Sequence, residues 1–110
     1  MEDPAHIVVF ITAADAEEAR LIADVLLQQK KAACVNIVPG LSSLFWWRDK
    51  IDSAKESLLI VKTRASLLDE IVELVKEIHS YDNPEVIALP IVGGSDDYLE
   101  WLDEVVEGSD

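Results

Sequence analysis

The stretch Ala32-Ala-Cys-Val-Asn-Ile-Val-Pro-Gly-Leu-Ser-Ser-Leu-Phe-Trp-Trp47 decides how this chain folds. It is rich in β-branched and aromatic residues, and a short polar turn, Arg48-Asp-Lys50, follows it. A second apolar run, Ser57-Leu-Leu-Ile-Val-Lys-Thr63, comes after the turn. Two such runs around a turn predict a β-hairpin, whose strands span roughly residues 32–63 and are longer than a small sheet needs. The Pro39-Gly40 pair predicts a bulge or bend in the first strand.

Before the hairpin, the pattern predicts one strand and one helix. The run His6-Ile-Val-Val-Phe-Ile-Thr12 is continuous and largely β-branched, which predicts a strand buried on both faces. Thr12 or Asp15 can cap the helix that follows, because each has an acidic residue three positions later. Apolar residues then recur at helical spacing, at Ala19, Ile22, Ala23 and Leu26.

After the hairpin, the pattern predicts a helix, a strand and a short last helix. Ser66-Leu-Leu-Asp69 has the form of a capping box. The apolar residues that share one face of this helix are Leu68, Ile71, Val72, Val75 and Ile78. Residues 86–92 predict a fourth strand, and Pro90 within it indicates an edge strand or a bulge. Ser95 is placed to cap the last helix, whose inward-facing residues are Leu99, Leu102 and Val106.

The predicted order of elements is β-α-β-β-α-β, which corresponds to a ferredoxin-like sandwich. This is an α+β fold in which two helices cover one face of an antiparallel sheet. The extended central β-hairpin and the short C-terminal helix are additions to it. No repeats, linkers or low-complexity segments interrupt the 110 residues. The sequence therefore predicts a single domain that spans residues 1–110.

The tip of the hairpin carries four large apolar residues in a row, Leu44-Phe-Trp-Trp47. Alternation along a strand places two of them on each face of the ribbon. Because the helices can cover only one face near the base, the tip is expected to project beyond the core. An exposed aromatic patch of this kind favours an interface with other copies of the chain. The alternative is that both tryptophans fold back onto a local core.

Charge and composition exclude several classes of function. The formal net charge is −13, and a nucleic-acid-binding surface needs positive charge, so we expect no nucleic acid partner. No apolar run is long enough to cross a bilayer, which predicts no membrane insertion. The acidic N-terminus lacks the positive charge of a signal peptide, and Cys34 is the single cysteine. The sequence therefore predicts a cytoplasmic protein in a reducing compartment.

A set of segments is distinctive when taken together: Ala32-Ala-Cys-Val-Asn-Ile-Val-Pro-Gly40, Ser43, Trp47, Lys50-Ile51, Leu58, Lys62-Thr63, His79-Ser-Tyr-Asp-Asn-Pro-Glu85, Leu89-Pro90 and Tyr98-Leu-Glu-Trp101. With these segments the chain resembles the CutA family, the divalent-cation tolerance proteins. The order and spacing of the segments hold from the first strand to the last helix. Two positions depart from the family pattern: Ser80 stands where proline is usual, and Arg48-Asp49 replaces a pair that usually ends in glycine.

The resemblance implies a homotrimer held by hairpin strands that cross between subunits. It also implies binding of copper or another divalent cation, and a role in divalent-cation tolerance. It implies no established catalytic residues, and the sequence offers neither a serine nucleophile with His and Asp partners nor a phosphate-binding glycine loop. We therefore expect a protein that binds copper or another divalent cation weakly, uses no organic cofactor and is not an enzyme. The alternative is a structural or adaptor trimer with no specific metal site.

Two residues are candidate metal ligands, Cys34 and His79. Thiolate is a good ligand for Cu(I), and imidazole suits copper and zinc. The alternative for Cys34, which lies in a predicted strand, is a small buried hydrophobe. The alternative for His79 is a residue that the helix dipole favours at a C-terminus. Lys62, Tyr81 and Glu85 are expected to form either a polar pocket or an interfacial hydrogen-bonded network.

Overall fold

Four β-strands and three α-helices make up the computed structural model, which describes residues 4–108. In chain order they are β1 (His6–Ala13), α1 (Ala16–Gln28), β2 (Cys34–Trp47), β3 (Lys50–Arg64), α2 (Leu68–Ile78), β4 (Val86–Pro90) and α3 (Asp96–Val105). A 3-10 turn at Ala65–Leu67 joins β3 to α2. The predicted order of elements is therefore confirmed. No helix within residues 4–108 is long and apolar enough to span a membrane.

The strands form one antiparallel sheet in the order β2-β3-β1-β4. The strand β1 lies between β3 and β4, so β2 and β4 are the edges. This order is that of the ferredoxin-like sandwich and confirms the predicted α+β fold class. The strand β4 is an edge strand, as Pro90 indicates, but it ends at Pro90 and not at residue 92 as predicted.

The hydrophobic core lies between α1, α2 and one face of the sheet. Alternate residues of β1 and β3 enter it, and those that are buried include Ile7, Val9, Ile11, Leu59 and Val61. The predicted apolar stripe of α1 packs against them through Ala19, Ile22, Ala23 and Leu26, and α2 contributes Ile71 and Val75. The alternate apolar residues of the strands and the apolar stripes of the helices therefore pack into one layer. Burial of this layer stabilises the fold.

The prediction that β1 is buried on both faces is wrong. Its residues alternate between buried and partly exposed, and Val8 and Phe10 are partly exposed on the second face. The reason is that α1 and α2 cover only one face of the sheet. The continuous β-branched run is compatible with this arrangement, because such residues favour strands whether or not both faces are covered.

The first two helices begin differently. Asp15, and not Thr12, caps α1: its Oδ1 accepts a hydrogen bond from the backbone N–H of Glu18 at 2.8 Å. The predicted capping box at Ser66 is wrong, because Ser66 lies inside the 3-10 turn. Its backbone has already begun to coil there, so it cannot take the extended conformation of a cap. The helix α2 instead begins at Leu68 with no side-chain cap.

The strands β2 and β3 form the extended hairpin that the sequence predicts. The pairing of β3 with β1 ends at Ser57, so residues 50–56 of β3 pair with β2 alone. We call residues 41–56 the hairpin arm. The register shifts at the predicted Pro39-Gly40 bulge, where Gly40 has a φ of 74°. Glycine suits this position because it adopts positive φ without a steric penalty.

The tip of the hairpin arm is exposed on both faces. Leu44 and Trp46 lie on one face and are 74% and 73% exposed. Alternation places Phe45 and Trp47 on the other face, at 39% and 57%. The turn between the strands uses left-handed backbone at residues 48 and 49, with φ of 50° and 64°, which matches the twist of a two-residue hairpin. The tryptophans therefore do not fold back onto a core of their own chain.

The helix α3 packs against the sheet face opposite α1 and α2, which we call the α3 face. Alternation along β1 and β3 places the side chains of His6 and Arg64 there. Ser95 caps α3 as predicted, since its Oγ accepts the backbone N–H three residues later at 3.5 Å. Two of the predicted inward residues, Leu102 and Val106, are buried, and the third is partly buried.

Candidate functional site

Cys34 begins β2 and lies on the α3 face, beside its cross-strand partner Lys62. The cysteine is partly exposed, and its Sγ lies 4.0 Å from Oδ1 of Asn36. Lys62 Nζ donates a hydrogen bond to the same oxygen. Tyr98 of α3 lies against the thiol, and burial together with Cys34 raises the pKa of Tyr98. Cys34 is therefore a partly exposed thiol among polar neighbours and not a buried core residue.

His79 ends α2, and its imidazole is fully buried. Its Nε2 donates to the carbonyl oxygen of Thr12 at 2.7 Å, and its Nδ1 accepts the backbone N–H of Tyr81 at 3.0 Å. These partners assign the neutral tautomer that carries its proton on Nε2. Both ring nitrogens are occupied, so a metal ion could reach His79 only after one of these hydrogen bonds breaks.

The structure does not bring Cys34 and His79 together in one chain. Lys62, the partner of Cys34, pairs in turn with Val8 of β1. His79 bonds instead to Thr12, four residues farther along that strand, which is a distance of about 13 Å. Within residues 4–108, no group of three or more His, Cys, Asp or Glu side chains is placed to hold a metal ion. One copy of the chain therefore offers only part of a coordination sphere.

The loop after α2 is held by hydrogen bonds that the sequence did not reveal. Glu18 of α1 accepts the backbone N–H of Ser80 at 2.8 Å and that of Ala14 at 2.9 Å. Burial alone would raise the pKa of Glu18, but these bonds hold it below its ordinary value. The hydroxyl of Tyr81 donates to Oε2 of Glu56 at 2.9 Å. The loop therefore connects the helical layer to the hairpin arm.

The polar residues that the sequence analysis grouped together have separate partners. Tyr81 bonds to Glu56, and Lys62 bonds to Asn36. Glu85 takes part in neither of these hydrogen bonds, and its side chain lines a groove instead. Among the described residues, the predicted network of Lys62, Tyr81 and Glu85 is therefore not formed within one chain.

Tyr81 makes the alkaline stability of the protein testable. Burial and the hydrogen bond to Glu56 raise the pKa of Tyr81 to about 12, from an ordinary value of 10.0. Because the folded-state pKa is the higher one, the protonated hydroxyl contributes stability below pH 10 that is lost as the pH rises to about 12. Tyr81→Phe is expected to remove this part of the pH dependence. Urea unfolding below and above pH 10 measures it, and identical pH dependence in the variant and the parent would contradict the assignment.

A groove of about 970 Å³ opens between the hairpin arm and residues 81–85. Phe10 and Leu58 of the sheet contribute apolar surface to it. Its carboxylates are those of Asp52, Glu56, Asp82 and Glu85, and its described lining contains no Lys, Arg or His. The groove is therefore both apolar and negatively charged, a combination that complements a partner with apolar and cationic groups.

Comparison with known proteins identifies the family. Residues 7–105 match the model of the CutA1 divalent ion tolerance protein family. The chain is 55% identical over 96 residues to the chloroplastic protein CutA of Arabidopsis thaliana. The aligned residues cover 87% of this chain and 53% of the Arabidopsis protein. This chain is 48% identical over 102 residues to the divalent-cation tolerance protein CutA of Archaeoglobus fulgidus, covering 93% and 99%. The chain thus spans about half the length of the plant relatives it matches.

Solved structures share the fold. The crystal structure of CutA1 from Oryza sativa has a TM-score of 0.93 and 50% sequence identity, and the match covers 96% of both chains. The structure of the Archaeoglobus fulgidus protein, which is named periplasmic, has a TM-score of 0.90 over 93% of this chain. Sequence and structure agree over nearly the whole length, and the chain therefore belongs to the CutA1 divalent ion tolerance protein family.

Proposed function

We propose that this protein acts in divalent-cation tolerance as a homotrimer that binds copper. The observation that carries the proposal is the exposed hairpin arm in a chain of this family. Leu44, Trp46 and Ile51 of the arm are 74%, 73% and 65% exposed, and contact with other copies would remove this apolar surface from water. The number of subunits follows from the resemblance to the CutA family.

Cys34 is the residue best suited to hold copper. Its thiolate is a soft ligand that favours Cu(I), and it is partly exposed. The remaining ligands must come from a second copy or from the metal's own water, since one chain supplies no cluster among its described residues. His79 stays a predicted ligand, but its present geometry does not fit the role. Coordination would cost its hydrogen bond to Thr12 or to the backbone of Tyr81.

Calorimetric titration of the metal-free protein with Cu(I), Cu(II) and Zn(II) tests this proposal. We expect copper to saturate at a fixed ratio per trimer and to remain bound in high salt, which screens diffuse binding to surface carboxylates. Cys34→Ala is expected to lower the affinity by at least about tenfold, since the loss of an outer-shell group alone has that effect. Glu73→Gln is the matched control, because it removes an exposed surface charge on α2, which covers the sheet face opposite the thiol.

Unchanged copper binding in a Cys34→Ala, His79→Ala double variant would contradict the ligand assignment. Copper binding that disappears in high salt would show that only the acidic surface was measured. A stable trimer that binds no copper at a fixed ratio would favour the alternative function, a structural or adaptor trimer. The acidic and apolar groove beside the hairpin arm is the observation that favours this second candidate, because it offers a partner surface and no metal cluster.

The proposal also covers catalysis, domain organisation and cellular location. We propose a non-catalytic role, which the relatives' names as tolerance proteins support. We propose that residues 1–110 form one domain, which the shared core of the sheet, α1 and α2 supports. We propose a cytoplasmic location, which a single unpaired cysteine supports, although relatives are named chloroplastic and periplasmic.

A further inference from the structure

A buried carboxylate lines the groove beside the hairpin arm. Glu56 is 8% exposed, and its Oε2 accepts the hydroxyl of Tyr81. Within residues 4–108, no Lys, Arg or His side chain forms an ion pair with Glu56. Buried charges in proteins are usually paired, because a charge that leaves water without a partner loses its hydration. The single chain therefore leaves the charge of Glu56 unbalanced.

The rest of the groove has the composition of a site for an organic cation. Asp52, Asp82 and Glu85 also line it and are exposed, so they form an acidic rim. The groove is further lined by aromatic rings, those of Phe10, Phe45, Trp47 and Tyr81. Aromatic faces attract ammonium and guanidinium groups, and carboxylates pair with them. The groove therefore complements an occupant that carries Lys or Arg together with apolar surface.

The end of the hairpin arm has this complementary composition. We call residues 46–50, Trp-Trp-Arg-Asp-Lys, the basic tip, and all five are exposed. The guanidinium carbon of Arg48 lies 5.5 Å from the centroid of the Trp47 ring, so a cation lies over an aromatic face. Among the described residues, neither Arg48 nor Lys50 forms an ion pair. The basic tip thus presents two cations and apolar surface to solvent.

A chain cannot bring its own basic tip to Glu56. The strand β3 runs without interruption from Lys50 to Glu56, and these residues pair with β2 along the whole arm. Six residues of extended strand span about 20 Å, and the cross-strand pairing keeps them extended. The cation that Glu56 lacks must therefore come from another molecule, and a second copy of this chain carries a suitable one.

We propose that the groove receives the basic tip of a second copy, which places its Arg48 and Lys50 beside Glu56 and the acidic rim. The inference rests on the proposed homotrimer and adds which two surfaces meet in it. The contact joins two different patches, so it is heterologous, and heterologous contacts close into a ring in a three-fold assembly. Each subunit supplies one basic tip and one groove.

Glu56→Gln tests the buried charge. The amide oxygen can still accept the hydroxyl of Tyr81, so the groove keeps this hydrogen bond while its buried charge is lost. Sedimentation equilibrium should show association at least about tenfold weaker, because the loss of one partner of a buried charge pair is costly. Glu73→Gln is the matched control, since it removes an exposed charge on α2, which does not line the groove.

Charge reversal at both surfaces tests whether they meet. A tip variant combines Arg48→Glu with Lys50→Glu, and a groove variant combines Asp82→Lys with Glu85→Lys. All four residues are exposed, so each chain should keep its fold. Either variant alone should associate at least about tenfold more weakly than the parent, because like charges then meet. An equimolar mixture should recover at least about tenfold, because the acidic tip of one variant meets the basic rim of the other.

A third variant controls for net charge. Lys30→Glu with Lys76→Glu changes the net charge by the same amount as the tip variant, at two exposed positions outside the groove and the basic tip. It should associate like the parent.

Two results would overturn the proposal while the homotrimer stands. One is parent-like association of the Glu56, tip and groove variants, which would leave the groove open to another protein. The other is a mixture that recovers nothing, which would show that the two surfaces do not meet. A parent protein that sediments as a monomer would overturn the homotrimer and this contact together.

Discussion

Replacing Trp46 with glutamate is expected to dissociate the proposed homotrimer while leaving the fold of each chain intact. Trp46 is 73% exposed in the single chain, so the new carboxylate would be hydrated there. In an interface between copies it would be buried without a partner, and burying an unpaired charge is strongly unfavourable. Sedimentation equilibrium at micromolar concentration should show association at least about a hundredfold weaker, or monomers alone.

The other face of the hairpin arm provides the companion variant. Trp47→Glu places the charge on the opposite face, and at least one of the two variants must weaken assembly if the arm is the interface. Leu21→Glu on α1 is the control, because Leu21 is 53% exposed and lies outside the hairpin arm. Wild-type mass for both tryptophan variants would show that the copies associate elsewhere or not at all.

The second large effect is expected at His79. His79→Ala should lower the free energy of unfolding by about 3 kcal/mol, because it removes a fully buried side chain and two hydrogen bonds. The carbonyl oxygen of Thr12 would lose its donor, and the backbone N–H of Tyr81 would lose its acceptor. Denaturant unfolding at neutral pH measures the loss.

His79→Gln is the matched variant for this prediction. Its longer side chain retains an amide that can donate toward Thr12, so it should lose less stability than the alanine variant. A loss smaller than about 1 kcal/mol for His79→Ala would mean that the buried hydrogen bonds contribute little. In that case the imidazole would be free to rearrange, and its prediction as a copper ligand would be strengthened.

The fold was predictable because its determinants are local in sequence. The alternation of β1 and β3 and the helical spacing in α1 each depend on neighbouring residues, and so does the Pro39-Gly40 bulge. The failed predictions concern competition between local signals and packing. Ser66 has a side chain that could cap a helix, but it lies inside the 3-10 turn that precedes α2. The run in β1 resembles a doubly buried strand, but coverage of its second face depends on where distant helices pack.

The candidate site was less predictable, because its contacts join residues far apart in the sequence. The sequence indicated that Cys34 and His79 carry ligand chemistry, but not that His79 Nε2 would meet the carbonyl oxygen of Thr12. No sequence pattern around Glu56 indicated a special role, although its carboxylate accepts a hydrogen bond from the hydroxyl of Tyr81. Backbone acceptors and lone carboxylates have no sequence signature, and only the assembled fold assigns their partners.

The projecting hairpin arm has a kinetic consequence for assembly. The arm's backbone pairing joins β2 to β3, which are consecutive in the sequence, so a newly made chain can form it early. Until copies associate, its exposed tryptophans are available for nonspecific contact with other apolar surfaces. The formal net charge of −13 slows like-charged encounters of all kinds, correct or not. The time a lone subunit spends unassembled would therefore depend on protein concentration and ionic strength together.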